Sequence, residues 1–473
     1  MAEREIALNR FGLGARGAEG GLSDPRGWLK AQLRGFDARP QALRALPTRG
    51  EIAEQLADNV EMIRGMRPNK AQPAEAVGVV VDPKRAMRKE ARQDARAQHM
   101  AQVGARVRVA VASDTPFIER LVHFWANHFA VSADKLTTVG FAGMLEFEAI
   151  RSHVLGRFAD MLLAVEQHPA MLLYLDQAQS VGPASLLGSR VAARGNRMLG
   201  LNENLAREIL ELHTLGVRTG YSQSDVTEFA RAMTGWTVAG IGRGPAARAM
   251  TASAAPGAFL FVPQIHEPGD RTILGRRYAS AGEGQARAIL ADLAIHTATA
   301  QHIATKLARH FVADDPPPAL VAKLEAAFLK SGGDLPTVYA ALIEAPEAWA
   351  AAPAKFKTPW EWSISAFRAL GLKETPDQAV TGMLTELGQP AWRPGSPAGY
   401  DDVAVRWAGP DALMKRVEVA QRLAARVNVD ARALAPKLFG AGLSTDTQTA
   451  IARAGDGAEA TALLLVSPEF MRR

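Results

Sequence analysis

The sequence predicts a mainly α-helical fold: one large multi-helical domain over residues 1–473, with a small β-hairpin insertion near residues 255–280. Three observations carry that expectation. Hydrophobic residues make up 48% of the chain while aromatics make up only 6% and alanine is abundant, which favours close-packed helices over sheets. Most of the chain divides into segments of about 10–20 residues with helical apolar spacing, bounded by Gly- and Pro-containing turns. One stretch alone, AFLFVPQIHEPGDRTILGRRY from Ala258 to Tyr278, alternates and is rich in β-branched and aromatic residues. At 473 residues the length suits either two or three average domains or a single helical one, and no pattern break is sharp enough to set a boundary.

Taken in order, residues 70–110 form a basic helical segment. Asp82 to Arg108 holds Lys84, Arg85, Arg88, Lys89, Arg92, Arg96, Arg106 and Arg108 against Asp82, Glu90 and Asp94. It reads as an exposed, solubilised helix or as a contact surface. No aromatic residues interleave with the arginines, so nucleic acid is not the expected partner. Phe117 to Phe129 follows, with Ser113 or Asp114 and then Pro116 as a helix start. Helices are expected over Phe141–His153, Phe158–Glu166 and Leu205–Leu215, the last closed by Gly216. Ser224–Met233 comes next, with Ser222 or Ser224 as N-cap and Gly235 as the stop.

The predicted strands flank a turn at Pro268-Gly269, and Gly188–Gly200 and Gly240–Pro256 read as mobile loops. Later helices are expected over Gln285–Ile295, Thr299–Val312, Pro318–Ser331, Leu335–Ala345 and Trp360–Leu370. Residues 375–410, rich in Pro, Gly and Trp, read as a linker or lid whose Trp392 and Trp407 line a cleft. Trp125, Trp236, Trp360 and Trp362 read as core anchors.

Composition removes several function classes. There is no cysteine, which excludes disulfides, thiolate metal sites and iron–sulfur clusters. No stretch reaches the ~20 apolar residues that span a bilayer, and MAEREIALNRFG has no apolar region of the secretory type. The chain as given is therefore expected to be cytoplasmic, unless a leader precedes it. A phosphate-binding Gly-x-x-x-x-Gly-Lys loop, a Gly-x-Ser-x-Gly elbow and His-Glu-x-x-His are all missing.

Several long stretches carry a family resemblance. They are ALNRFGLGA (Ala7–Ala15), HFWANHFAVSADK (His123–Lys135), RFADMLLAVEQHPAMLLYLD (Arg157–Asp176) and LNENLAREILELHTLGVRTGYSQSDVTEFARAMTGW (Leu201–Trp236). IHEPGDRTILG (Ile265–Gly275), HTATAQHIATKLARHFVADDPP from His296 and KFKTPWEW (Lys355–Trp362) complete the set. In this order they resemble the bacterial family known as domain of unknown function 1800. The resemblance brings little functional knowledge. It implies frequent export and frequent gene neighbourhood with a sulfatase-like partner family.

The candidate chemistry lies on two helices. Leu201–Trp236 packs Glu203, Arg207, Glu208, Glu211 and His213 into an otherwise apolar pattern, where an unpaired buried charge costs several kcal/mol. Glu208 and Glu211 are three apart and share a face; Arg207 suits Glu203 or Glu211 at i±4. On the Phe117 helix, Glu119, His123 and Asn127 form a polar stripe. His128 is turned about 140° from His123 on an unbroken helix, at ~100° per residue. The two imidazoles meet one ion only if the helix ends near Asn127. His266 sits in the IHEPGD turn beside Glu267 and Asp270. His302, Lys306 and His310 form a cationic stripe that suits either an anion or the solvated face of a surface helix.

The resulting expectation is a metal-dependent or acid/base enzyme, of hydrolase or oxidoreductase type. His123, His128, His213 and His266 supply ligands to a divalent metal ion, Glu208 or Glu211 acts as base, and Arg207 orients it or receives an anion. The alternative is a non-catalytic scaffold or partner-binding protein in which the same groups are structural ion networks, with His213 donating to a backbone carbonyl.

Overall fold

The computed structural model describes residues 2–17, 21–65, 83–194, 200–241 and 254–473. The described chain is mainly helical, with two small two-stranded antiparallel sheets. A continuous apolar core runs through the helices, and a minor cluster of Val181, Val262 and Ile265 lies apart from it. No described helix is long and apolar enough to cross a membrane.

Local sequence explains where the helices begin. Pro116–His128 starts with proline at its first position, where the missing N–H has no intrahelical acceptor to lose. Gln223–Met233 starts at a capping box in which Ser222 Oγ accepts from Asp225 N and Asp225 returns the bond to Ser222 N. Pro359–Leu370 has the same device in Thr358 and Glu361. Thr297–Phe311 packs on Pro318–Ser331, which packs in turn on Leu335–Glu344. The 30-residue helix Pro83–Ala112 packs against Pro359–Leu370 and Asp377–Glu386.

Two expected helices contain a π-helical segment. Ala142–His153 is interrupted by Leu145–Ile150, and the helix from Asn204 passes into Ile209–His213, where Thr214 N bonds Ile209 O five residues back. Each π turn shifts later side chains relative to a plain α register, a displacement that apolar spacing alone does not reveal.

The β region is built differently from the expected single hairpin. β1 (Trp236–Val238) pairs with β2 (Phe259–Phe261), and β3 (Arg271–Ile273) pairs with β4 (Arg276–Tyr278). Pro268-Gly269 thus separates β2 from β3 without pairing them. The hairpin turn lies at Leu274-Gly275, both with positive φ as a two-residue turn with the twist of its strands requires.

The loop expected over Gly188–Gly200 is helical in its described part, Leu186–Ala193. Residues 195–199 of that loop and 242–253 of the Gly240–Pro256 loop lie outside the described residues, as do 70–82 of the basic segment. From Arg85 to Ala97 the Pro83 helix is largely exposed; from Gln102 its side chains are mostly buried. Residues 375–410 contain the helix Asp377–Glu386, and Trp392 and Trp407 are both buried. Trp125, Trp236, Trp360 and Trp362 are buried as well.

Candidate functional site

A cavity of about 250 Å³ opens between the Pro83, Pro116, Thr297 and Pro359 helices and is closed on a further side by residues between 389 and 403. Four of the stretches that carry the family resemblance meet here, contributing Leu13, His123, Lys306 with His310, and Glu361. The closing wall depends on one glycine. Gly399 has φ +81°, and a Cβ there would sit 2.3 Å from Asn127 O. Asn127 holds the same wall, donating from Nδ2 to Tyr400 O (2.8 Å) and accepting at Oδ1 from Tyr400 N (2.7 Å).

The floor is a buried charge network. The second oxygen of the Glu361 capping box, Oε1, pairs with Arg120 and lies 2.8 Å from Arg473 Nη2. Arg120 and Arg473 are almost wholly buried. Burial alone raises the Glu361 pKa, but Arg473 and Arg120 outweigh it and hold the carboxyl well below its ordinary range. Arg120 also donates to Gly12 O (2.7 Å), tying the network to the N-terminal segment. On another side Arg106 makes two contacts with Glu146 (2.9 and 2.8 Å) and stacks 4.0 Å from the Trp360 ring centroid. Trp392 Nε1 donates to the same Glu146 at 2.9 Å. Trp392 takes φ +50°, a left-handed backbone rarely adopted by a bulky residue.

His310, Lys306 and His123 are the groups that face this cavity with chemistry to spare. His310 Nδ1 lies 2.6 Å from Asp402 Oδ2, a bond that places the ring proton on Nδ1 and leaves Nε2 as a buried acceptor with no hydrogen-bond partner among the described residues. Burial lowers the His310 pKa, opposed by the Asp402 charge. Asp402 is also 3.2 Å from Lys355 Nζ, which bonds Asp314 at 2.6 Å. Lys306 lies one helical turn before His310 on the same face. Its ammonium has no hydrogen bond or ion pair among the described residues, and burial pulls its pKa down to about 8. His123 Nδ1 accepts from Trp360 Nε1 at 3.1 Å, which puts its proton on Nε2. Burial first, then Arg106, holds His123 well below the ordinary histidine range.

The residues singled out from sequence are divided by the fold. His123 and His128 both line the cavity, but the helix continues through His128, so that ring is not released toward His123. His128 Nε2 donates instead to His213 O at 3.1 Å. The His213 ring, itself fully buried, donates from Nδ1 to Glu166 Oε1 at 2.8 Å, in a dyad shut off from solvent. His266 Nδ1 bonds Thr234 O at 2.8 Å, beside the β1–β2 sheet. Arg207 pairs with Glu203 (3.3 Å) and Gln223 (2.9 Å), and Glu211 accepts from Tyr221 OH at 2.6 Å. Burial raises the Glu208 pKa, but Glu208 does not line this cavity.

The rings of His128, His213 and His302 lie near one another, with centroids 6.2 Å apart for His128–His213 and 6.0 Å for His128–His302. Nevertheless, no three His, Asp or Glu side chains among the described residues converge as a metal-ligand set. Of the His302–Lys306–His310 stripe on the Thr297 helix, His310 is buried and His302 and Lys306 are half-buried, and Lys306 and His310 line the cavity.

Sequence reasoning passed over Glu361 and Asp402. Glu361 had a usable signal, the T-x-x-E capping box in TPWE. Asp402 lies in an irregular segment without periodicity and had none.

Fold and site together define a class: a helical protein assembled around a buried ion network that borders a cavity lined by both charged and apolar side chains. Residues 6–472 match the family described as Protein of unknown function (DUF1800), and the chain belongs to that family. Comparison with curated proteins and with solved structures found no match.

Proposed function

We propose that this protein is an acid/base enzyme acting on a small anionic substrate held in the cavity between the Pro116 and Thr297 helices. The observation that carries the reading is the His310–Asp402 pair at the cavity wall: a carboxylate fixes the imidazole tautomer and leaves Nε2 as the basic atom. His310 then takes the base role that sequence reasoning gave to Glu208 or Glu211. His123, with its proton on Nε2, serves as a hydrogen-bond donor to the substrate. Lys306 and Arg309 give the wall its positive charge. Residues 389–403, within the stretch read as a lid, would admit substrate by moving as one wall.

The test is a panel of small carboxylate and phosphate esters, lactones and 2-oxo acids, run with the wild type, His310→Gln and Asp402→Asn. Turnover that falls at least 100-fold in both variants, with helix content intact, supports the reading. Turnover unchanged in both variants overturns it.

A second reading, a non-catalytic scaffold, is favoured by the Leu201–Trp236 stretch. There the charges satisfy one another: Glu203 with Arg207, Gln223 and Thr227, and Glu211 with Tyr221. On that reading the exposed basic face at residues 85–97 meets a protein partner, of the sulfatase-like class that the resemblance implies.

A further inference from the structure

We infer that Lys306 is a covalent nucleophile that forms an imine with a small carbonyl compound bearing an anionic group. The inference rests on the acid/base reading of the same cavity and goes beyond it by naming the substrate class and the bond formed. Four features of the site support it.

Half-buried Lys306 lines a partly open cavity of about 250 Å³, room for a small molecule. Most lysines in contact with protein carboxylates are spent on ion pairs, as Lys355 is here with Asp314 and Asp402. Lys306, on the Thr297 helix, makes no ion pair among the described residues, although the charge of Asp402 partly opposes the effect of its burial. A cavity-facing amine with a pKa near 8 keeps a useful unprotonated fraction at neutral pH, which an ordinary lysine does not. Finally, His310 lies at i+4 on the same face, so a group able to take and return protons accompanies the amine.

The step balances without any oxidant or reductant. The neutral Lys306 Nζ attacks the carbonyl carbon, the C=O π pair becomes a hydroxyl after proton transfer, and a carbinolamine forms. The amine proton passes to His310 Nε2 and returns to the departing hydroxyl. Water leaves and a C=N bond remains. Arg309, which lines the same wall and spends its Nε on Asp314 O, is placed to receive the anionic end of the substrate.

The experiment uses the full-length wild-type protein with glyoxylate as the probe, in the presence of cyanoborohydride, followed by peptide mapping by mass spectrometry. The expected result is a reduced carboxymethyl adduct at Lys306 that forms at least tenfold faster than at the solvent-exposed Lys135. It should reach one equivalent per chain. Labelling of Lys306 no faster than Lys135 overturns the inference. Lys306→Arg, checked for native helix content, should abolish the fast phase; a fast phase that survives in it assigns the adduct elsewhere and also overturns the inference. Because the decisive reading comes from wild-type protein and needs no turnover, its failure is separate from failure of the His310–Asp402 reading, which the variant panel alone decides.

Discussion

His310 and Asp402 are 92 residues apart in sequence and meet through a 2.6 Å bond between Nδ1 and Oδ2 at the wall of the cavity. The helix carrying His310 presents it at a fixed depth, while Asp402 arrives on an irregular segment held by Lys355 and Asn127. Replacing Asp402 by Asn removes the charge that counters the effect of burial on His310, so the imidazole titrates at still lower pH. Any turnover assigned to this site should fall about 10²-fold or more with little change in KM, the span general acid/base groups contribute. Nitrogen NMR of the His310 ring checks the tautomer independently: an unchanged Nδ1–H signal in Asp402→Asn would remove the orienting role.

Glu361 is the hinge of the buried ion network. Glu361→Gln leaves Arg120 and Arg473 buried without their shared carboxylate, and loss of one partner of a buried pair costs about 3–5 kcal/mol. Urea unfolding should show that loss with little change in m-value. A loss under about 1 kcal/mol would show that the two guanidiniums find other partners.

His213 and Glu166 form a fully buried dyad away from solvent. His213→Ala strands Glu166 in the core, and we expect a destabilisation of about 3 kcal/mol or more, without loss of turnover beyond the loss of folded protein. Elemental analysis of the wild type gives the opposing outcome. A stoichiometric metal that disappears in a stably folded His213→Ala would make the dyad part of a ligand set.

Stability should depend on pH in two windows. His99 and His302 are lowered to about 4, chiefly by burial and next by Arg393 and Lys306 respectively; His123 and His128 are lowered too, again chiefly by burial. Below about pH 6.5 the unfolded chain binds protons that the native imidazoles refuse, so their contribution to stability is complete above that value and is lost as pH falls toward 4. Burial also lowers Lys306 to about 8 and Lys357 to about 7. Between pH 7 and the ordinary lysine value of 10.5 the unfolded amines hold protons that the native ones have released, so stability rises across that interval. Each group contributes up to about 1.4 kcal/mol per pH unit inside its window. Denaturation curves from pH 4 to 10 check both slopes; flat stability between pH 7 and 9 would mean that the lysines are hydrated in the native state.

Gly399→Ala tests the closing wall. The substitution adds a Cβ 2.3 Å from Asn127 O at a left-handed position, and such strain costs about 1–3 kcal/mol. Because the wall is irregular, helix content by circular dichroism should persist while Trp emission shifts as Trp360 and Trp392 become hydrated. An unchanged emission spectrum would show that the wall tolerates the displacement.

The helical class, most helix positions and the family membership were legible in the sequence, because apolar spacing, prolines at helix starts and glycines at helix ends are local signals. Phe158–Glu166 and Pro318–Ser331 match their expected limits. The site was legible only in pieces. His123 stood out as polar on an apolar helix, and the His302–Lys306–His310 stripe was visible, yet its period cannot say whether it faces water or a cavity. The π turn at Ile209–His213 and the pairings β1–β2 and β3–β4 depend on packing and on partners distant in sequence.

The sequence by itself determined the helical architecture and the supply of buried charge, since both follow from residue type and near-neighbour spacing. The tertiary structure alone decided which charge meets which. The Glu361–Arg120 ion pair and the His310–Asp402 hydrogen bond join segments far apart in the chain, and a carboxylate's partner is set by where the folded helices bring their faces together.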